Sequence, residues 1–248
     1  MIKIEGLKKS FNSKKVLDGV DLEIEKGETT VIIGRSGEGK SVLIKHIIGL
    51  LKPDEGHIYL DGEDITAMSE REWGVVLKRF GMLFQGAALF DSMTVGENVG
   101  FPLKENTGLG DEDIRKIVAE KLRRVGLEGV EEMMPSELSG GMKKRVGLAR
   151  AIVMDPEIVL FDEPTTGLDP IMSDSVGMLM VETQKALDTT YIAITHDITL
   201  TYKIADKVAM LHEGRIIASG TVSEIRADPN PVLRQFLEGR AEGPVKVY

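Results

Sequence analysis

Short apolar runs alternate with amphipathic stretches along this chain, and the alternation sets the expected order of elements. Ile2–Leu7, Val20–Ile24 and Thr29–Ile33 read as strands. The last, Thr29-Thr30-Val31-Ile32-Ile33, is β-branched throughout, the pattern of a buried strand. Lys26-Gly27-Glu28 is a turn. Val42-Leu43-Ile44-Lys45-His46-Ile47-Ile48 is apolar at helical spacing and predicts a helix to about Leu50, ended by Lys52-Pro53-Asp54-Glu55-Gly56. His57–Leu60 predicts a strand closed by Asp61-Gly62. Residues 86–135 differ in texture: loops around Gly108 and Gly110, then a helix near Asp111–Val125 with apolar Ile114, Ile117, Val118, Leu122 and Val125. Beyond them the pattern predicts helix Gly140–Met154, strand Glu157–Phe161, helix Asp174–Ala186, strand Thr190–Ile194, and a hairpin of Asp206–Leu211 and Arg215–Ser219 around Glu213-Gly214.

Strand–helix alternation implies an α/β fold with a largely parallel sheet. The two-strand features at each end suggest an antiparallel β side sheet. Residues 86–155 read as an inserted α-helical subdomain of a domain over 1–238, and 239–248 as a C-terminal tail. A chain of 248 residues with 42% hydrophobic content suits such a domain. The net charge of −9 argues against a nucleic-acid partner, which leaves a basic footprint. Cysteine is absent, so disulfide and thiol chemistry are excluded. Met1-Ile2-Lys3-Ile4-Glu5 lacks the apolar core of a signal peptide. No apolar run approaches the roughly 20 residues of a membrane span. The expectation is a soluble, cytosolic chain whose membrane business goes through a partner.

Between the buried strand and its helix lies Gly34-Arg35-Ser36-Gly37-Glu38-Gly39-Lys40-Ser41, which fits G-x-x-x-x-G-K-[ST]. Glycines let successive N–H groups turn inward around phosphate oxygens, and the helix start adds partial positive charge. Lys40 would reach the β- and γ-phosphates, the Ser41 hydroxyl would ligate Mg²⁺, and Val42 opens the helix. A second signal is Ile158-Val159-Leu160-Phe161-Asp162-Glu163, an apolar strand ending in two acids at the edge where open α/β sheets place ligands. Asp162 suits the Mg²⁺ shell, and Glu163 suits a general base for the attacking water. A third is Leu138-Ser139-Gly140-Gly141-Met142 before a helix. There Ser139, Gly140 and Gly141 are either an anion site or a plain N-cap.

Leu-Ser-Gly-Gly ahead of the Asp-Glu pair resembles the signature of ATP-binding cassette (ABC) ATPases, with a P-loop ATPase core. Other positions fall where that family has them. The resemblance makes Gln85 the Q-loop glutamine, a contact of Mg²⁺ and water that reports to the membrane partner. Asp169, in Gly167-Leu168-Asp169, becomes the D-loop residue, and His196 the switch histidine at the γ-phosphate. Phe11 becomes the ring stacked on adenine, with Val16 beside it. Singly each has a plainer reading: His196 a helix-start histidine, Gln85 a loop amide, Phe11 core packing, Asp169 a turn residue. The resemblance implies a homodimer that sandwiches ATP between the P-loop of one copy and Ser139-Gly140-Gly141 of the other.

Three weaker marks narrow the family: Phe84–Val95, Met142 in place of a common glutamine, and the end from Pro231 to Val245. Together they resemble the ATPases of Mla/Mce lipid transporters, which move phospholipids between inner and outer membranes. That resemblance implies a permease of the MlaE type, an Mce-domain substrate-binding protein and, in some relatives, a STAS-domain regulator. It places the chain at the cytoplasmic face of the inner membrane, held peripherally through the permease. It makes the tail a candidate dimer contact, with Phe236 and Tyr248 as anchors. Rival readings are an importer cassette for amino acids or another small solute, a non-transport ABC ATPase, and a regulatory nucleotide-binding module.

Overall fold

The computed structural model describes residues 1–246; Tyr248 lies outside the described residues. The chain opens with β1 (Ile2–Phe11), β2 (Lys14–Ile24), β3 (Thr29–Ile33), α1 (Lys40–Ile47), β4 (Glu55–Leu60), β5 (Glu63–Asp64) and α2 (Glu70–Val76). It continues with β6 (Phe80–Leu83), α3 (Val95–Asn106), α4 (Asp111–Arg124), α5 (Gly140–Ala151), β7 (Ile158–Asp162) and α6 (Pro170–Leu187). It closes with β8 (Thr190–Thr195), α7 (Ile198–Ile204), β9 (Lys207–His212), β10 (Arg215–Thr221), α8 (Val222–Ala227) and α9 (Pro231–Glu238). Two compact units divide it: Met1–Val75 with the segment from Ile192 onward, and Val76–Tyr191.

In the first unit β1 pairs antiparallel with β2 and β4, and β5 extends β4. Ile2 sits opposite Ile24 and Leu60, and Ile4 opposite Leu22 and Ile58, so the alternating apolar positions share one buried face. This is the expected antiparallel side sheet. The C-terminal hairpin does not join it. β9 runs parallel with β3, and β10 pairs antiparallel with β9, so the hairpin widens the sheet of the P-loop strand. All five residues of β3 are buried. Asp206, just before β9, accepts the Thr29 amide proton at 2.8 Å and donates its own N–H to the Thr29 carbonyl at 3.0 Å. These bonds fix the register at the strand start.

The second unit holds β6 and β7 as a parallel pair, with Gly81 opposite Val159. Its core includes Phe161 and Tyr191, whose ring centres lie 4.8 Å apart. The Tyr191 hydroxyl donates to Thr183 Oγ1 at 3.0 Å, and burial pushes its phenol up to about 12. Where loops were expected ahead of Asp111, the chain forms α3. Gly96, Gly100 and Pro102 argue against a helix locally. A capping box between Thr94 and Glu97 starts it nonetheless, and the buried Asn98 amide donates to the Phe90, Met93 and Thr94 carbonyls. Gly100 is small because α4 packs there: a Cβ would lie 3.0 Å from Ile114 Cγ2. α4 forms as expected, with Asp111, Glu112 and Asp113 in its first turn and Lys121, Arg123 and Arg124 in its last, matching the helix dipole.

Candidate functional site

In the first unit the P-loop runs from the end of β3 into α1. Gly34 has φ +153, and a Cβ there would lie 2.4 Å from the Leu211 carbonyl oxygen of β9. Gly39 has φ +100, and its Cβ would meet Val16 Cγ1 at 2.9 Å. These glycines let the loop pass against two strands where a side chain has no room. The second contact also brings Val16 to the loop. Gly39 is the N-cap of α1, and no side chain caps that helix. Lys40 is 6% exposed. Its ammonium donates to the Gly34 carbonyl at 2.7 Å and the Arg35 carbonyl at 3.0 Å. A buried ammonium thus lies among loop carbonyls whose hydrogen bonds help repay its desolvation.

Arg35, Ser36, Gly37 and Ser41 are exposed, and Val42 is half-buried. Glu38 is not a spectator. Its carboxylate accepts the Glu213 amide proton at 2.7 Å and lies 3.3 Å from His212 Nδ1, so the hairpin turn braces the loop. Sequence reasoning gave Glu38 no such role, because its partners lie far along the chain. Phe11 ends β1 with 42% of its surface exposed, and the Lys9 ammonium stands 5.7 Å from its ring centre. An exposed aromatic face fits stacking better than core packing. His196 follows β8, is exposed, and precedes Asp197, the N-cap of α7.

The second unit gathers the other candidates. Asp162 ends β7, and Glu163 follows at φ +49, a left-handed conformation uncommon outside glycine. Thr166 holds it there: its amide donates to the Glu163 carbonyl at 3.3 Å, and its hydroxyl to Glu163 Oε2 at 3.1 Å. Gln85 follows β6 and is exposed. Just beyond it Ala87 and Ala88 take φ +61 and +46. Arg150 of α5 donates to the Ala87 carbonyl at 2.5 Å and the Ala88 carbonyl at 2.8 Å. Backbone strain of this kind concentrates at functional sites.

Ser139 is the N-cap of α5, its Oγ accepting the Met142 amide proton at 3.3 Å. Gly141 packs against the segment after the expected D-loop; a Cβ there would displace the Met172 methyl, 2.1 Å away. Asp169 caps α6, with Oδ1 accepting from Ile171 N at 3.0 Å and Met172 N at 3.1 Å. Asp169 therefore has a structural task whatever else it does. Buried Lys144 is a residue that sequence reasoning missed. Burial pushes its ammonium below the usual lysine range, against the pull of the Asp162 and Glu163 carboxylates. The described part of the tail folds back on its own helix. The Gln235 amide bonds both backbone groups of Val245, at 2.8 and 3.0 Å, and Arg35 Nη1 lies 3.4 Å from the Lys246 carbonyl.

Among the described residues no helix is long and apolar enough to cross a membrane. Residues 17–166 match the ABC transporter family. The chain is 43% identical over 244 residues, 98% of this chain and 70% of the relative, to mkl of Mycobacterium leprae, named a "probable ribonucleotide transport ATP-binding protein". It is 42% identical over 246 residues, 99% of this chain and 93% of the relative, to MlaF of Haemophilus influenzae, the ATP-binding protein of an intermembrane phospholipid transport system. Its fold resembles the dimeric ATP-binding cassette MJ0796 bound to ADP and Pi, with a TM-score of 0.82 and 30% identity over 90% of this chain and 99% of that one. A P-loop, an acid-tipped strand and a capped signature helix, matched over most of the chain's length, place it in the ABC transporter family as an ATP-hydrolysing cassette.

Proposed function

We propose that this chain is the nucleotide-binding subunit that powers phospholipid transport between inner and outer membranes. The likeness to MlaF along 93% of that protein's length supports the lipid reading, together with Met142 and the segment from Pro231 to Val245. The observation that carries the chemistry is Glu163, fixed at φ +49 directly after Asp162 at the tip of a buried strand. In this reading Lys40 leaves the Gly34 and Arg35 carbonyls for the β- and γ-phosphates. Glu163 takes the proton of the attacking water, Gln85 orients that water, and His196 contacts the γ-phosphate. Phe11 and Val16 receive the adenine. Ser36, Gly37 and Gly39 offer backbone N–H groups, with Arg35, Glu38 and Val42 shaping the loop and helix start.

Ser41, Gln85 and Asp162 present a hydroxyl, an amide oxygen and a carboxylate, the hard oxygen donors that Mg²⁺ takes. They would hold the ion, which when bound neutralises phosphate charge. The cassette spans 1–238 with its helical subdomain at about 86–155. It works as a homodimer, with Ser139, Gly140 and Gly141 of one copy closing the P-loop site of the other across Asp169. An MlaE-like permease holds the dimer at the cytoplasmic face of the inner membrane. An Mce-domain protein delivers lipid, and a STAS-domain regulator is a further partner.

Capture of the tagged protein from its native membrane, with identification of the bound chains, tests the cargo. A permease with an Mce-domain protein supports the reading. A nucleotide, amino-acid or ion permease overturns the cargo while keeping the ATPase. The chemistry is tested by Glu163→Gln, expected to bind ATP and fail to turn it over. Hydrolysis at the native rate by this variant would remove Glu163 as the base.

A further inference from the structure

Lys144 lies in the first half of α5, the helix that starts at the signature, and only 5% of it is exposed. Lysine is almost never buried to this degree without a partner that repays its desolvation. Its ammonium donates to the Gln85 carbonyl in a short hydrogen bond and to the Glu163 carbonyl at 3.1 Å. One side chain therefore ties together the main chains of two residues that bear on the attacking water.

Both ties fall where the backbone needs them. Glu163 is held at φ +49, and the turn after Gln85 carries Ala87 and Ala88 at φ +61 and +46. Arg150, further along α5, holds those alanine carbonyls, so the two cations of this helix secure successive parts of the same turn. Apolar packing also holds α5 in place. Gly147, one turn along, already packs so closely that a Cβ would lie 2.6 Å from Leu83 Cδ1 and 3.2 Å from the Ala87 methyl. Apolar contact thus shares in placing the helix, beside the specific ties the ammonium makes to two carbonyls.

We propose that Lys144 is a positioning residue for ATP hydrolysis, locking the main chains of Gln85 and Glu163 so that their side chains hold one fixed geometry toward the water. The proposal rests on the reading of Gln85 and Glu163 given above. It also makes the signature helix a mechanical part of its own subunit's hydrolytic centre. Misplacement by about 1 Å at such a centre costs on the order of a hundredfold in rate.

The test compares Lys144→Met, Lys144→Arg and Glu163→Gln in the full-length protein, by steady-state ATP hydrolysis over a range of ATP concentrations and by thermal unfolding. Lys144→Met removes the donors and keeps the chain length. It should lower kcat by about tenfold or more with the KM for ATP within about twofold, because ATP binding belongs to the P-loop. Lys144→Arg keeps N–H donors and should recover part of kcat, a rescue that packing alone does not give. Native kcat in Lys144→Met, or an equal loss of kcat and ATP affinity, overturns the proposal. If Lys144→Met fails to fold, Lys144→Gln replaces it, and a folded Lys144→Gln with native kcat overturns the proposal equally. Native turnover in Glu163→Gln brings down the site reading and the proposal with it. An inactive Glu163→Gln beside a fully active Lys144→Met brings down the proposal alone.

Discussion

Replacing Gly34 by alanine isolates what the P-loop owes to its contact with β9. Gly34 has φ +153, and its added methyl would lie 2.4 Å from the Leu211 carbonyl oxygen. That oxygen belongs to main chain inside a paired strand, so it cannot swing aside like a flexible side chain. Gly37 is the control: φ is +85, but nothing lies within 4 Å of its Cβ position. Gly37→Ala should therefore carry conformational strain alone, about 1–2 kcal/mol, partly offset by about 0.4–1 kcal/mol from a less flexible unfolded chain. Gly34→Ala adds overpacking of about 1–3 kcal/mol to a similar strain. The difference between the variants should be about 1–3 kcal/mol, which for a chain of this size means about 2–12 °C in unfolding midpoint. Differential scanning fluorimetry of both variants, without nucleotide, reads it directly. Equal midpoints would refute the argument, since strain without collision would then account for both.

Lys40→Ala removes two charge-assisted hydrogen bonds made to the loop and, in the proposed reading, their counterparts made to phosphate. At about 1.5–3 kcal/mol each, one lost phosphate contact would lower ATP affinity by about 10- to 150-fold, and titration with a fluorescent ATP analogue should register the loss. Unchanged affinity would mean that Lys40 does not reach the phosphates. His46 predicts a pH dependence of stability. Its Nδ1 lies 2.7 Å from the Val42 carbonyl and so carries the proton, while Nε2 is buried without a partner. Burial, aided by the Lys9 ammonium, lowers its pKa more than the Val42 and Lys52 carbonyls and Asp54 raise it. Above about pH 6.5 the ring is neutral folded or unfolded, and the contribution is fully present. As pH falls from there through the depressed folded value, the unfolded chain binds the proton first and stability declines. Urea midpoints at successive pH values should fall less steeply for His46→Gln; parallel curves would rule His46 out.

The local pattern determined much of this protein. The β-branched run of β3, the glycine loop after it and the acid-tipped β7 are each readable within a few neighbouring residues, because backbone preference and burial of one strand are local properties. The P-loop, the acid pair and the signature of the candidate site stand out for the same reason: the phosphate and water chemistry proposed for them uses particular residues at fixed short spacings. α3 was not legible, because Gly96, Gly100 and Pro102 oppose a helix and only the Asn98 bonds and the close approach of α4 sustain it. The sheet that receives the C-terminal hairpin was not legible either, since β3 and β9 are joined by long-range pairing.

Only the tertiary structure decided what stabilises the site. Glu38 reads as an unremarkable loop residue until the Glu213 amide, 175 positions away, arrives to be bonded. Lys144 reads as one of several charges on an amphipathic helix until β6 and β7 bring the Gln85 and Glu163 carbonyls to its ammonium. Sequence spacing carries the groups proposed to do chemistry, because they would act through short, repeated geometry. The groups that hold them depend on which distant main chains the fold brings within hydrogen-bonding reach, and no local pattern encodes that.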